Sequence, residues 1–247
     1  MTFTVDIKKE YALSVLEGLE KIGAIDLRQL DQKTTRKNKS YEAVKQPESS
    51  YDTFQFIVNH FRKEPSFISE YAALHAARLR FASLRPDQKK ETNADVYKIL
   101  EELKELQIRK SPASEPLHLE AALEYAWIRA QLAKESDRDV RYLFFLNRIK
   151  EDFNNLDDPM VVSYQKGLKE NPAKAKLHTV YSQFLEAEIL RCNASLATKE
   201  GKTEEALDCA EKAKNHLSSF AERADSSYYL KIRSQDSLAV LKRAKIM

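Results

Sequence analysis

The chain has 247 residues, of which 43% are hydrophobic and 32% are charged, so it is long enough to bury a sizeable core. Its 41 Lys and Arg residues are almost balanced by 38 Asp and Glu residues, and a net charge of +3 does not indicate a nucleic-acid-binding field over the whole molecule. Only 4 glycines and 7 prolines occur, too few for a many-stranded β protein or for glycine-rich phosphate loops, so helix is favoured.

The N-terminal part of the chain has a mixed pattern. Residues 2–7 alternate polar and apolar side chains like a strand, residues 11–22 follow a helical period, and residues 24–30 suit a second strand. We therefore expect a small β-α-β module over residues 1–30. Residues 31–50 have no apolar period and are expected to form a linker. The linker contains four basic residues that could contact phosphates: Lys33, Arg36, Lys37 and Lys39. The alternative is that they belong to a solvated, flexible segment.

Apolar residues recur at helical spacing from residue 51 onward, and we expect about nine helices in one domain, residues 51–247. The most regular stripe runs from Leu119 to Ala133, with Ser114 as its candidate N-cap. A second stripe over residues 140–153 follows closely, so these two helices are expected to form a hairpin. Three earlier helices are predicted from the following apolar positions: Phe54 to Phe61, Ile68 to Ala82, and Val96 to Leu106.

Two dipeptides that end in proline predict helix boundaries in the second half of the chain. At Asp158-Pro159 a helix should begin, with the aspartate as its cap and the proline at its first position. Asn171-Pro172 should end that helix. A long helix is then expected from about Lys174 to Glu200.

Gly201 separates two helical stretches whose small residues recur on one face. Alanine at facing positions lets two helix axes approach closely, as an antiparallel hairpin with a short turn requires. The sequence therefore predicts a hairpin closed at Gly201, and by extension a stack of such hairpins. The positions are Leu190, Ala194 and Ala197 before the glycine, and Ala206, Ala210, Ala213 and Leu217 after it.

The segment from Gly201 to Ala213 resembles the turn and second helix of a tetratricopeptide repeat, and the resemblance is strongest over residues 187–217. Tyr164, Gly167 and Pro172 also fall at the spacing with which such repeats commonly end. The copy is degenerate: Ala210, Ala197 and Ser218 stand where the family usually has a large residue, an aromatic residue and a proline. The resemblance implies a mainly α protein, a tetratricopeptide-like α-solenoid that holds a peptide or partner protein in a groove lined by first helices.

The resemblance also implies a set of groove-facing residues on the first helix of this copy. Two of them, Arg191 and Lys199, could hold a carboxylate of an acidic partner segment. The alternative is that these residues form the solvated face of an amphipathic helix. The candidate partner-binding residues are Glu188, Arg191, Ser195, Thr198 and Lys199. A non-enzymatic adaptor or scaffold is the function that this pattern favours.

Residues with catalytic or metal-binding chemistry do not cluster in the sequence. The five histidines are scattered, and none forms a ligand pair on one helical turn, so we expect no metal and no other cofactor. His75 lies on an apolar stripe, where a core or interface histidine is favoured over a catalytic base. Glu120 and Glu124 share a helix face and are expected to be solvated. No catalytic residues are predicted, although an enzyme site assembled from distant residues remains an alternative.

A nucleic-acid-associated helical protein is the second hypothesis, using segments 33–39 and 78–90. The later segment interleaves Phe81 with basic residues, an arrangement that suits phosphate contacts and base stacking. However, Arg78 and Arg80 lie about 200° apart around a helix and do not share a face. Nucleic acid is therefore the less favoured partner.

Targeting features are consistent with a soluble cytoplasmic protein. Residues 1–7 lack the basic, then apolar, then small-residue order of a secretory signal. No apolar run approaches the length of about 18 residues that a bilayer span needs. Cys192 and Cys209 lie on either side of the Gly201 turn, and we expect both to be free thiols because reducing compartments disfavour disulfides.

Overall fold

A computed structural model describes residues 54, 55, 58, 67–108, 115–222 and 228–244. Within these ranges the chain forms eight α-helices and two short 3-10 helices, with no strand. The mainly α fold class is therefore confirmed for this part of the chain. The α-helices are α1 (Phe67–Ser83), α2 (Ala94–Ile108), α3 (Glu115–Gln131), α4 (Arg138–Asn154), α5 (Pro159–Glu170), α6 (Pro172–Lys199), α7 (Thr203–Glu222) and α8 (Tyr228–Arg243). The 3-10 helices are Pro86–Gln88 and Glu135–Asp137.

The two dipeptides that end in proline lie at helix boundaries, as predicted. The Asp158 side chain accepts a hydrogen bond from the Met160 N–H at 2.8 Å, and Pro159 occupies the first position of α5. Asn171 ends α5 and also caps α6, because its side chain accepts from the Lys174 N–H at 3.1 Å. The long predicted helix is confirmed as α6, which has 28 residues.

The turn between α6 and α7 has the geometry that the glycine predicts. Gly201 has a φ of +75°, in the left-handed region that glycine adopts without a Cβ penalty. The Lys202 N–H donates to the Ala197 carbonyl at 2.9 Å, and the Gly201 N–H donates to the Thr198 carbonyl at 3.1 Å. This is the Schellman pattern, which satisfies the last carbonyls of α6 and turns the chain back.

Small side chains form the contact between α6 and α7. Six of the seven predicted positions are buried, and Leu190 is half-buried against the same core. The short side chains allow the extensive contact observed between these two helices. The predicted hairpin is therefore confirmed.

The helices pack mainly in chain order. α1 contacts α2, α2 contacts α3, α3 contacts α4, and α7 contacts both α6 and α8. The short α5 lies against α4 and α6, and α4 also contacts α6 directly. One core is formed by α3, α4, α6, α7 and α8, and a second by α1, α2 and α3. Trp127 of α3 packs against both cores and thereby joins them.

Several sequence predictions lie outside the described residues. They are the β-α-β module of residues 1–30, the linker of residues 31–50 with its basic cluster, and the Ser114 cap. Of the predicted helix at Phe54 to Phe61, only residues 54, 55 and 58 are described, and each is helical. Cys192 and Cys209 are free thiols. Within the described residues, no helix combines the length and the apolar character needed to cross a bilayer.

Candidate functional site

The five candidate partner-binding residues of α6 divide into a buried group and an exposed group. Glu188, Arg191 and Ser195 are 2%, 5% and 8% exposed, respectively, whereas Thr198 and Lys199 are exposed. The alternative that all five form a solvated helix face is therefore wrong for the three buried residues. Whether any of the five binds a partner stays a prediction.

The buried group forms an ion-pair cluster with the start of α4. Arg191 Nη1 lies 2.9 Å from Asp139 Oδ1, and its Nε lies 3.2 Å from Glu188 Oε2. The Ser195 hydroxyl donates to Asp139 Oδ2 at 2.6 Å. Burial opposes the charged form of Asp139, but Arg191 and Ser195 outweigh it and hold the pKa of that carboxyl below its usual value. The carboxylate-binding arginine thus already binds carboxylates of its own chain.

The exposed group lies at the rim beyond this cluster. Thr198 donates to the Ala194 carbonyl within α6 at 2.8 Å. Lys199 Nζ donates to the Ser136 carbonyl at 3.0 Å, which links the end of α6 to the 3-10 helix before α4. Lys199 is the exposed cation among the five candidates.

A second charge cluster, which sequence reasoning missed, lies where α1, α3 and α8 meet. Glu120 and Glu124 of α3 are 4% and 1% exposed, so the prediction that they are solvated is wrong. Arg78 of α1 lies 2.6 Å from Glu120 Oε1 and 3.1 Å from Glu124 Oε2. Arg233 of α8 lies 2.9 Å from Glu124 Oε1. These four residues, termed the central charge cluster, carry two positive and two negative charges.

Aromatic side chains enclose the central charge cluster. The Arg233 guanidinium stacks 3.4 Å from the centre of the Trp127 ring, and that of Arg78 lies 4.0 Å from the centre of the Tyr229 ring. Both distances are within the range of cation–π attraction. From α6, the Tyr181 hydroxyl donates a hydrogen bond to Glu120 Oε2. Side chains from α1, α3, α6 and α8 therefore converge on one buried centre.

Mutual neutralisation keeps the central charge cluster ionised. Burial disfavours the charged carboxylate of Glu124, but Arg233 and Arg78 outweigh burial and lower its pKa. Burial likewise opposes the charge on Arg78, and Glu120 and Glu124 outweigh it and raise the arginine pKa. Because the charges balance, the cluster has no excess charge to offer an ion. We infer that it fixes the relative positions of the helices.

The sequence offers little signal for this cluster. Arg78 and Glu124 are 46 residues apart, and Arg233 and Glu124 are 109 apart. Glutamates spaced by one helical turn are usually solvated on a helix surface. The available signal is that Glu120, Glu124 and Trp127 lie within a helix whose other residues are largely buried and apolar.

A row of three hydrogen-bonded side chains between α5 and α6 is the other polar arrangement that resembles a catalytic site. The Tyr164 hydroxyl lies 2.5 Å from His178 Nδ1, and Ser182 Oγ lies 3.2 Å from His178 Nε2. His178 and Ser182 also line an open groove that reaches His216 on α7. Ser182 lies within α6, where backbone N–H groups bond inside the helix and are not available to stabilise an oxyanion. The backbone around Ser182 therefore supplies no oxyanion donor to this arrangement.

Metal and nucleic-acid sites receive no geometric support in the part of the chain that is described. No group of three or more His, Cys, Asp or Glu residues is placed there to hold a metal ion. Arg78 is committed to the central charge cluster, and Arg80 pairs with Glu102 at 2.9 Å, so the two arginines face different partners as predicted. The nucleic-acid hypothesis stays a prediction that rests on the other basic residues of segments 33–39 and 78–90.

Comparison with known proteins leaves the family of this chain open. No family model matches the sequence, and neither the curated proteins nor the solved structures contain a match. The resemblance to tetratricopeptide repeats therefore stays a prediction from the sequence.

Proposed function

We propose that the chain is a non-enzymatic adaptor, a stack of helical hairpins that binds a partner protein or peptide. The packing order of the helices carries this proposal. α3 contacts α1 and α6, and α6 contacts α8, which is the order expected if these are the first helices of consecutive hairpins. Stacks with a continuous row of first helices commonly bind extended segments. The tetratricopeptide-like solenoid is part of the proposal, and so is a cytoplasmic location.

The proposal places an acidic segment of the partner at the rim formed by the end of α6. Lys199 supplies the accessible positive charge, because its ammonium contacts a neutral carbonyl at Ser136 and keeps further donors for a carboxylate. Arg191, which is already paired with Asp139 and Glu188, holds α6 against α4 beneath this rim. Thr198, which is exposed, adjoins the same contact surface.

Site-specific photo-crosslinking in the native cell tests the proposal. A photoreactive amino acid at position 198 should give a discrete protein adduct, because that side chain lies at the proposed rim. The matched control is position 214, which is exposed on α7. Charge reversal by Lys199→Glu should remove the adduct at position 198 while leaving the helical circular dichroism unchanged.

Two results would contradict the adaptor proposal. One is an equal adduct pattern, or none, from positions 198 and 214. The other is an adduct at position 198 that Lys199→Glu leaves intact, since the accessible charge would then contribute nothing to binding. Retention on single-stranded or duplex nucleic acid that weakens steeply with added salt would instead favour the nucleic-acid hypothesis.

A further inference from the structure

The C-terminal helix α8 is held in two different ways. Leu230 and Leu241 are each 1% exposed and lie in the main core, where α8 contacts α7. Towards α1 and α3, α8 instead presents Arg233, a member of the central charge cluster, and Tyr229, whose ring contacts Arg78 of that cluster. One side of α8 is therefore apolar, and the other is charged and aromatic.

The charged side of α8 is incompletely satisfied. The hydroxyl of Tyr229 is buried with no hydrogen-bond partner among the described residues, and the same holds for Nη2 of Arg78. Each such group has lost water without gaining a protein partner, which offsets part of the attraction between α8 and the cluster. Opening of this contact would return both groups to water. The α6–α7 contact is made by alanines, so its opening would expose apolar surface and would not return polar side chains to water.

Removal of α8 would uncover the faces of α6 and α7 on which it packs and, beside them, charged and aromatic side chains of α1 and α3. Glu120 and Glu124 would retain Arg78 as their cation, leaving a net negative charge, and the face of Trp127 would lose the guanidinium that covers it. A helix that binds there must supply a cation next to an indole face. An arginine fits better than a lysine because its planar guanidinium both stacks on the ring and donates in a fork to a carboxylate.

We propose that α8 is a built-in occupant of a helix-binding surface that α6 and α7 form together with the charged side chains of α1 and α3, and that the partner is a helix with an aromatic residue followed four residues later by an arginine. Tyr229 and Arg233 display this pattern within the chain itself. The inference rests on the adaptor function and names a second class of partner for it. Binding of such a partner displaces α8 from the central charge cluster.

Hydrogen exchange of the unmodified full chain gives the first test. Amides of α8 should exchange at least about tenfold faster than those of α7, through an opening that leaves the α6–α7 hairpin closed. Equal protection of α7 and α8, with the same dependence on denaturant, would overturn the inference because α8 would then open only on global unfolding. This readout needs no variant and no partner.

The second test uses a labelled peptide with the sequence of residues 228–243 as the probe. Arg233→Gln in the full chain weakens the internal contact, so the peptide should bind this variant at least about tenfold more tightly than it binds the unmodified chain. A peptide with the same Arg233→Gln change is the matched control and should not bind either protein. Circular dichroism establishes that the variant is folded.

Failure of the peptide to bind the folded variant would overturn the inference. Dimerisation of the variant by exchange of α8 would also overturn it, because the surface would then bind a second copy of the chain. Crosslinking at position 198 is independent of both tests. Failure of the adaptor proposal at the α6 rim and failure of the α8 inference are therefore distinguishable.

Discussion

Two histidines of the described helices, the half-buried His75 and the buried His118, are held in their neutral form. The His75 ring lies 5.3 Å from the ring of Phe54 and 4.3 Å from that of Tyr71, and burial, followed by the charge of Arg78, lowers its pKa to about 3. Burial lowers the pKa of His118 to about 4. His75 is thus the packed histidine that its apolar stripe predicts. Because both pKa values are lowered on folding, both histidines make the free energy of unfolding depend on pH.

We expect the free energy of unfolding to fall as the pH falls below about 6.5. The unfolded chain then takes up protons on these histidines, whereas the folded chain does not until the pH reaches about 3 to 4. Urea denaturation at pH 7 and pH 5 measures the difference in stability. His75→Phe should reduce this difference, because phenylalanine keeps the ring contacts and does not titrate.

His216→Phe provides the matched control, since that side chain is exposed on α7. An unchanged difference between pH 7 and pH 5 in His75→Phe would contradict the assignment. The carboxyls of Glu124 and Asp139 affect the free energy of unfolding in a lower pH range than the histidines do, because their pKa values lie below the usual carboxyl values. Their contribution is present above the ordinary carboxyl pKa and is lost below it.

At the scale of elements, the α6–α7 hairpin depends on local backbone geometry. Gly201 takes a positive φ, and an added Cβ there would meet nothing within 4 Å. Glycine is therefore required because of the backbone conformation and not because neighbouring atoms would crowd a side chain.

We predict that Gly201→Val lowers the free energy of unfolding by about 1 to 2 kcal/mol, because a β-branched residue is strained in the left-handed region. Thermal and urea denaturation measure the change. Gly201→Asn should cost less, since asparagine adopts this conformation more readily. Equal effects of the two substitutions would show that the backbone conformation is not the cause.

The elements that could be predicted from the sequence are those with local signals. Asp158, Asn171 and Gly201 act on residues within one turn of themselves, so their caps and turns were accessible from spacing alone. α8 is different, because its buried face includes Ser234 and Ser237 at 0% and 8% exposure beside the charged Arg233. Such a face gives no apolar period. The central charge cluster could not be predicted for a different reason, since it depends on contacts between distant segments.

Across the whole molecule, the central charge cluster links the beginning, middle and end of the described chain. Arg78 comes from α1, Glu120 and Glu124 from α3, and Arg233 from α8. Buried ion pairs contribute little net stability when intact, but loss of one partner leaves an uncompensated charge in the interior. The cluster therefore specifies one arrangement of these helices.

We predict that Arg78→Met lowers the free energy of unfolding by about 3 to 5 kcal/mol, because it leaves Glu120 and Glu124 with Arg233 as their cation. Urea denaturation at pH 7 measures the loss. The matched control is Arg148→Met, which removes an exposed pair with Asp152 at 4.0 Å and should cost about 0 to 1 kcal/mol. Similar losses from the two substitutions would contradict the role assigned to the cluster.

The position of Trp127 makes α8 visible to spectroscopy without a label. The chain has one tryptophan, and its indole lies directly beneath the Arg233 guanidinium. The chain also has 11 tyrosines, so the indole is excited selectively at the red edge of its absorption, and the emission then comes from one side chain whose surroundings change when the C-terminal helix moves away. Wavelength and quenching of that emission monitor the docking of this helix in the unmodified protein, in real time and at low concentration.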